Sequence, residues 1–204
     1  MKTLTRCSII LLVCVQSGCA IFDGNKIPDI DFVPTGLSGD QRPTVSYEMA
    51  AQTGMSGEGT PSEAVKSQLE IELLDALHLS DYFSRVARSD DTADLQLNVT
   101  YSEESNPAAM IGAVITGLSL YTIPSWMTST FELTLTAESA NGLSNTYTVS
   151  DSATLVQWLP MAFVFPFKNF SVLTEMRKNM FRTLLVEMQK DGLFTTTSDV
   201  LASE

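Results

Sequence analysis

Residues 95–102, LQLNVTYS, and 130–138, TFELTLTAE, alternate apolar and polar side chains without a break. That period of two is the signature of a strand with one buried and one solvated face. A third run, 146–155, TYTVSDSATL, repeats it with Tyr147, Val149, Ala153 and Leu155 on one side. Asp151 interrupts that apolar side. Asn141-Gly142 is a turn signal between the second and third runs. Thr and Ser crowd the other face of each strand, which predicts a sheet covered on one side only.

Helical spacing appears on both flanks. Thr60-Pro61-Ser62-Glu63 reads as a helix start, with Thr60 as N-cap and Glu63 closing a capping box. Val65, Leu69, Leu73, Ala76 and Leu77 then recur at helical steps, widened by Ile71 and Leu74, as far as Leu79-Ser80. A second helix is expected from Ser171 to Asp191, with Val172, Met176, Met180, Leu184 and Met188 on its stripe and Gly192 beyond its end. Short strands are expected at Thr44–Met49 and Tyr82–Val86, and a glycine-rich loop at 50–59. The expected fold is α+β: a two-layer sandwich with a mostly antiparallel sheet and two helices on one face. Its order is strand-helix-strand-strand-strand-strand-helix.

The 204-residue chain carries 12 Lys and Arg against 24 Asp and Glu, a formal net charge of −12. Such a balance argues against a nucleic-acid partner, which needs clustered positive charge. With 3 Cys and 1 His the sequence offers little to a metal, disulfide or Cys–His site, and no cofactor is expected. His78 reads as a half-buried structural residue. Gly54-Met55-Ser56-Gly57-Glu58 misses the nucleophile elbow at Glu58, and the same loop lacks a phosphate-binding Lys. Acidic pairs such as Asp90-Asp91 and Glu103-Glu104 read as solvated turns, and Asp29 with Asp31 is too little for calcium. The expectation is a protein that is not an enzyme.

The N-terminus has the layout of an export signal: Lys2 and Arg6, then the apolar run CSIILLVCV at 7–15, then small residues. Ser17-Gly18-Cys19 resembles the bacterial lipobox, with Gln16 where that pattern usually has Leu. The resemblance implies removal of residues 1–18 and acylation of Cys19, a membrane anchor of several chains. Cys7 and Cys14 would leave with the signal, so Cys19 would be the single cysteine of the mature chain. By resemblance to the enterobacterial sorting pattern, Ala20 in place of Asp implies the outer membrane, facing the periplasm.

Residues 19–42 read as a lipidated flexible tether spanning about 25–30 Å. Ile21, Phe22, Ile30, Phe32 and Val33 leave open a docked strand instead. The domain proper is expected at 43–194 and a frayed tail at 195–204. The step from Tyr82-Phe83 through Val86 to Ala93-Asp94-Leu95-Gln96-Leu97 resembles two small periplasmic domains. These are the N-terminal domain of the Tol-system propeller protein and the curli secretion lipoprotein.

Between Glu104 and Glu132 there is no charged residue. Two apolar loops are expected, at 107–126 (PAAMIGAVITGLSLYTIPSW in 107–126) and 156–167. If the strands form an antiparallel meander, both loops emerge at one end of the sheet. The candidate surface is Met110, Ile111, Val114, Ile115, Leu118, Tyr121, Trp126, Trp158, Phe163 and Phe165. Four readings stay open: a cover for the core, a patch for a protein partner or for copies of the chain, contact with a bilayer, or the mouth of an apolar cavity. The functional expectation is an accessory or assembly subunit of an envelope complex, anchored through Cys19. The alternative is a periplasmic domain that binds lipid or another apolar ligand.

Overall fold

The structure, a computed structural model, describes residues 19–37, 39–55, 58–140, 142–161 and 171–194. Residues 1–18, where an export signal is expected, Ser56, Phe163, Phe165 and the expected tail from 195 lie outside the described residues.

The three alternating runs are the long central strands: β5 (Leu95–Ser105), β6 (Ser125–Ser139) and β7 (Ser144–Gln157). They form an antiparallel meander, with Leu95 opposite Ser139 and Ser125 opposite Gln157. The other strands are β1 (Cys19–Asp23), β2 (Thr44–Met55), β3 (Glu58–Pro61) and β4 (Arg85–Arg88). The sheet order is β1-β7-β6-β5-β2-β3, with β4 beside the lower half of β2. Only the β2–β5 and β2–β4 pairings are parallel, so the described residues form a seven-stranded, mostly antiparallel α+β fold. Helices α1 (Glu63–Ser80) and α3 (Val172–Lys190) carry the predicted stripes. Leu69, Leu73, Ala76 and Leu77 of α1 and Met176, Met180, Leu184 and Met188 of α3 are buried in one core with Leu97, Val99, Leu133 and Leu135.

The opposite sheet face is solvated, and its threonines pair across β6 and β7: Thr128 with Thr154 at 2.9 Å, Thr134 with Thr148 at 3.1 Å, and Thr136 with Thr146 at 3.1 Å. Such cross-strand pairs stabilise a sheet where no apolar layer covers it. At the lower end Asp94 accepts from the Thr44 backbone N–H at 2.8 Å and from the Thr44 hydroxyl at 2.7 Å. These bonds hold its carboxyl below the usual carboxylate range. The folded group therefore titrates below the unfolded one. Its contribution to stability is complete above the ordinary carboxylate pKa and is lost as pH falls through the folded value. Urea unfolding below about pH 4 should show this loss, and Asp94→Asn should flatten that part of the profile. An unchanged profile would remove Asp94 from the acid response.

Apart from the stretch 107–126, five expectations need correction. The glycine-rich loop at 50–59 is the upper part of a β2–β3 hairpin, because Gln52–Met55 continue pairing with Glu58–Pro61. Thr60 and Pro61 belong to β3, and the cap of α1 is Ser62, whose Oγ accepts from the Val65 N–H at 3.4 Å. The strand expected at Tyr82–Val86 starts at Arg85, since Tyr82 and Phe83 turn into the core. His78 and Ile71 are exposed on α1 rather than part of its buried stripe.

The tether is the fifth and the most consequential. Cys19–Asp23 form an edge strand against β7, with Cys19 opposite Gln157 and Asp23 opposite Ala153. Ile27, Phe32 and Leu37 then pack against the core. The Asn179 amide donates to the carbonyl of Pro28 at 3.1 Å, and the Val33 N–H donates to the Tyr82 hydroxyl at 3.1 Å. Asp151, the break in the apolar face of β7, explains itself here: buried, it accepts from the Lys26 N–H at 3.3 Å and the Ser152 N–H at 2.7 Å. Gly24 donates its N–H to the Ser152 carbonyl at 2.7 Å. A Cβ at Gly24 would stand 2.4 Å from the Ser152 hydroxyl, so only glycine fits that close approach.

Candidate functional site

The ladder register puts several features at one end of the sheet. β2, β5 and β7 finish there, and β1 and β6 start there. Cys19, Gln157 and Ser125 form one row across β1, β7 and β6. The Ser125 hydroxyl donates to Gln157 Oε1 at 3.3 Å. Gln157 also holds a side-chain hydrogen bond to the Cys19 thiol, whose pKa burial nonetheless pushes up.

The stretch 107–126, expected as a loop, is largely a helix: α2 spans Ala108–Leu118. Asn106 opens it by accepting the Ala108 N–H at 2.9 Å. Leu120 and Tyr121, both at positive φ, turn the chain back toward β6. The Tyr121 carbonyl accepts the Leu159 N–H at 2.8 Å, which ties this turn to the segment after β7. The meander thus brings 107–126 and the described part of the second stretch, 156–161, together, as the strand directions imply.

The packing of α2 is inverted relative to an ordinary surface helix. Ala109, Gly112 and Ala113 are half-buried and Thr116 is buried, so its small residues face the protein. A Cβ on Gly112 would come within 3.2 Å of the Ser125 Cβ, so the helix lies close on the sheet. The large side chains Met110, Ile111, Val114, Ile115 and Leu118 point outward, with Ile111 67% and Leu118 82% exposed. Leu120, Ile123 and Trp158 are exposed beside them, and Trp126 is 68% exposed at the rim, opposite Val156. Tyr121 is half-buried instead. The reading of these runs as a cover for the core does not hold for α2.

An apolar cavity of about 170 Å³ lies under the same end, lined by Ile21, Met127, Phe131, Leu155 and Leu173, with Glu103. Burial pushes the Glu103 carboxyl up, against the opposing pull of Arg177. Pockets that enclose organic ligands begin near ~300 Å³, so this volume is small for a lipid. Among the described residues no group of three or more His, Cys, Asp or Glu is arranged to hold a metal. Among them, too, no helix is long and apolar enough to cross a membrane.

Sequence reasoning missed two features of this end. The helical state of 108–118 left one trace, small residues at spacing four in Ala108, Ala109, Gly112, Ala113 and Gly117, which the expectation of a loop passed over. The docked strand that Ile21 and Phe22 left open is the one that forms, but its partner β7, which sets Cys19 beside Gln157, is a long-range pairing without a local signal.

Neither a protein family nor a curated protein sequence matches the chain. Solved structures with a similar arrangement include a PelC dodecamer from Paraburkholderia phytofirmans, at 11% identity and a TM-score of 0.33, covering 84% of this chain and 97% of that one. A minor lipoprotein from Acinetobacter baumannii matches at 13% identity and a TM-score of 0.30, over 74% of this chain and 87% of that one. A DUF4136 family protein from Bacteroides thetaiotaomicron matches at 14% identity and a TM-score of 0.32, over 88% and 99%. All three scores are low, below 0.5.

Proposed function

We propose that the chain is a non-enzymatic lipoprotein of the bacterial envelope, acylated at Cys19 and working as an accessory or assembly subunit of an envelope complex. The observation that carries this reading is the exposed apolar helix α2 at the sheet end where Cys19 starts β1. Lipid anchoring confines the domain to two dimensions and raises its effective concentration for whatever it recruits. The solvated Thr-rich sheet face stays free to meet a partner in the periplasm. Ala20 after the cysteine favours the outer membrane over the inner one. The periplasmic domains that residues 82–97 resemble are the precedent for such a role.

The test uses the full chain expressed in a bacterium that processes lipoproteins and fed an alkyne analogue of palmitate. The wild type should take up the label and fractionate with the outer membrane. Cys19→Ser should lose the label entirely. Equal labelling of the two, or none of either, would end the lipoprotein reading.

A further inference from the structure

We infer that the apolar end of the domain is seated in the headgroup boundary of a lipid bilayer, with α2 lying flat in the plane of that boundary. This deepens the proposed anchoring at Cys19 and rests on it.

β1 begins at Cys19 itself, and five consecutive residues are paired with β7. The clamp formed by Asp151, Lys26, Gly24 and Ser152 closes the far end of that strand. No slack chain separates the acylated residue from the sheet. Neighbouring strands lie about 4.8 Å apart, so Ser125, two strands over, is about 10 Å from Cys19. Acyl chains on Cys19 must enter hydrocarbon, which brings the headgroup region to the row Cys19–Gln157–Ser125. Helix α2 sits on Ser125 through Gly112, within that same zone.

The chemistry of the surface fits what the distance requires. Residues 105–131 carry no charge, so nothing in the stretch resists transfer from water to the boundary. Ile111, Val114, Ile115 and Leu118 project away from the protein. Eleven helical residues make a rod of about 16 Å, too short for a hydrocarbon core of about 30 Å, so the helix lies along the membrane rather than across it. Trp158 is exposed at this end, and Trp126, one residue past Ser125 and so on the other sheet face, stands exposed at the same rim; tryptophan favours this depth. A protein covering α2 would have to fit between the domain and the membrane that holds Cys19.

The chain's two tryptophans are the probes. The full chain is processed in a bacterium, its acylation is checked by mass, and it is reconstituted in phosphatidylcholine vesicles with brominated acyl chains. Trp158→Phe isolates Trp126. The expected result is strong quenching of Trp126 by the brominated chains and protection from aqueous iodide. An acylated protein whose Trp126 is open to iodide and untouched by bromine overturns the inference and leaves the lipoprotein reading intact. Protection from both quenchers overturns it in favour of a second copy or another protein covering this end of the sheet. A chain with no acyl mass overturns both.

Discussion

Arg177→Ala should destabilise the domain by about 3–5 kcal/mol, a large part of the stability of a domain this size. Glu72 is 1% exposed on the core side of α1, and its carboxylate has only a few partners. The Arg177 guanidinium grips it from α3 with two bonds of 2.7 Å, and Gln68 adds one at 3.1 Å. Without the arginine an ionised carboxylate is left in the α1–α3 seam, and desolvation without a counter-charge costs several kcal/mol. Replacing both partners with leucine should recover most of the loss, since an apolar pair leaves no orphan charge. Lys178→Ala, which removes a surface pair with Asp75 at 2.7 Å, should cost under about 1 kcal/mol. Urea midpoints for the four proteins decide the matter. An Arg177→Ala cost as small as that of Lys178→Ala would mean that Glu72 reaches water or a proton.

The double substitution Ile111→Asp with Leu118→Asp should leave folding nearly untouched and abolish membrane seating. Both side chains already face outward, and substitutions at such sites stay within about 0.5 kcal/mol each. Burying each in lipid is worth about 1.5–3 kcal/mol. Losing both therefore weakens partition by roughly two to four orders of magnitude. Flotation of the unacylated mature chain with phosphatidylcholine vesicles reads the change, and urea unfolding reports on the fold. Unchanged flotation with an intact fold would show that α2 is not the contact. A collapse in stability would show that it belongs to the core.

The central sheet was plain from residue order, because β5, β6 and β7 are each solvated on one face and buried on the other. That contrast writes a period of two into the sequence. The stripes of α1 and α3 were legible for the same reason, and α3 ends within a residue of its expected bounds. Where contrast vanishes, so does the signal. In α2, Ala, Met, Ile, Gly, Val, Thr and Leu are all uncharged, so small residues inward and large ones outward leave only the spacing of four among Ala108, Ala109, Gly112, Ala113 and Gly117. In α1 the buried Glu72 broke a stripe whose meaning depends on a partner 105 residues away.

Residue order alone therefore determined the fold class, the signal-like layout of residues 1–18, the lipobox-like Ser17-Gly18-Cys19 and the charge-free stretch after Glu104. Each of these is a local pattern, written within a few neighbouring residues. Only the tertiary structure decided that Cys19 begins an edge strand instead of a tether, that Asp151 clamps the exit of that strand, and that α2 turns its large side chains outward. These depend on pairings between residues far apart in sequence. Backbone hydrogen bonds to β7 and close packing on Ser125 outweigh local preference there, and no short window of sequence contains both partners.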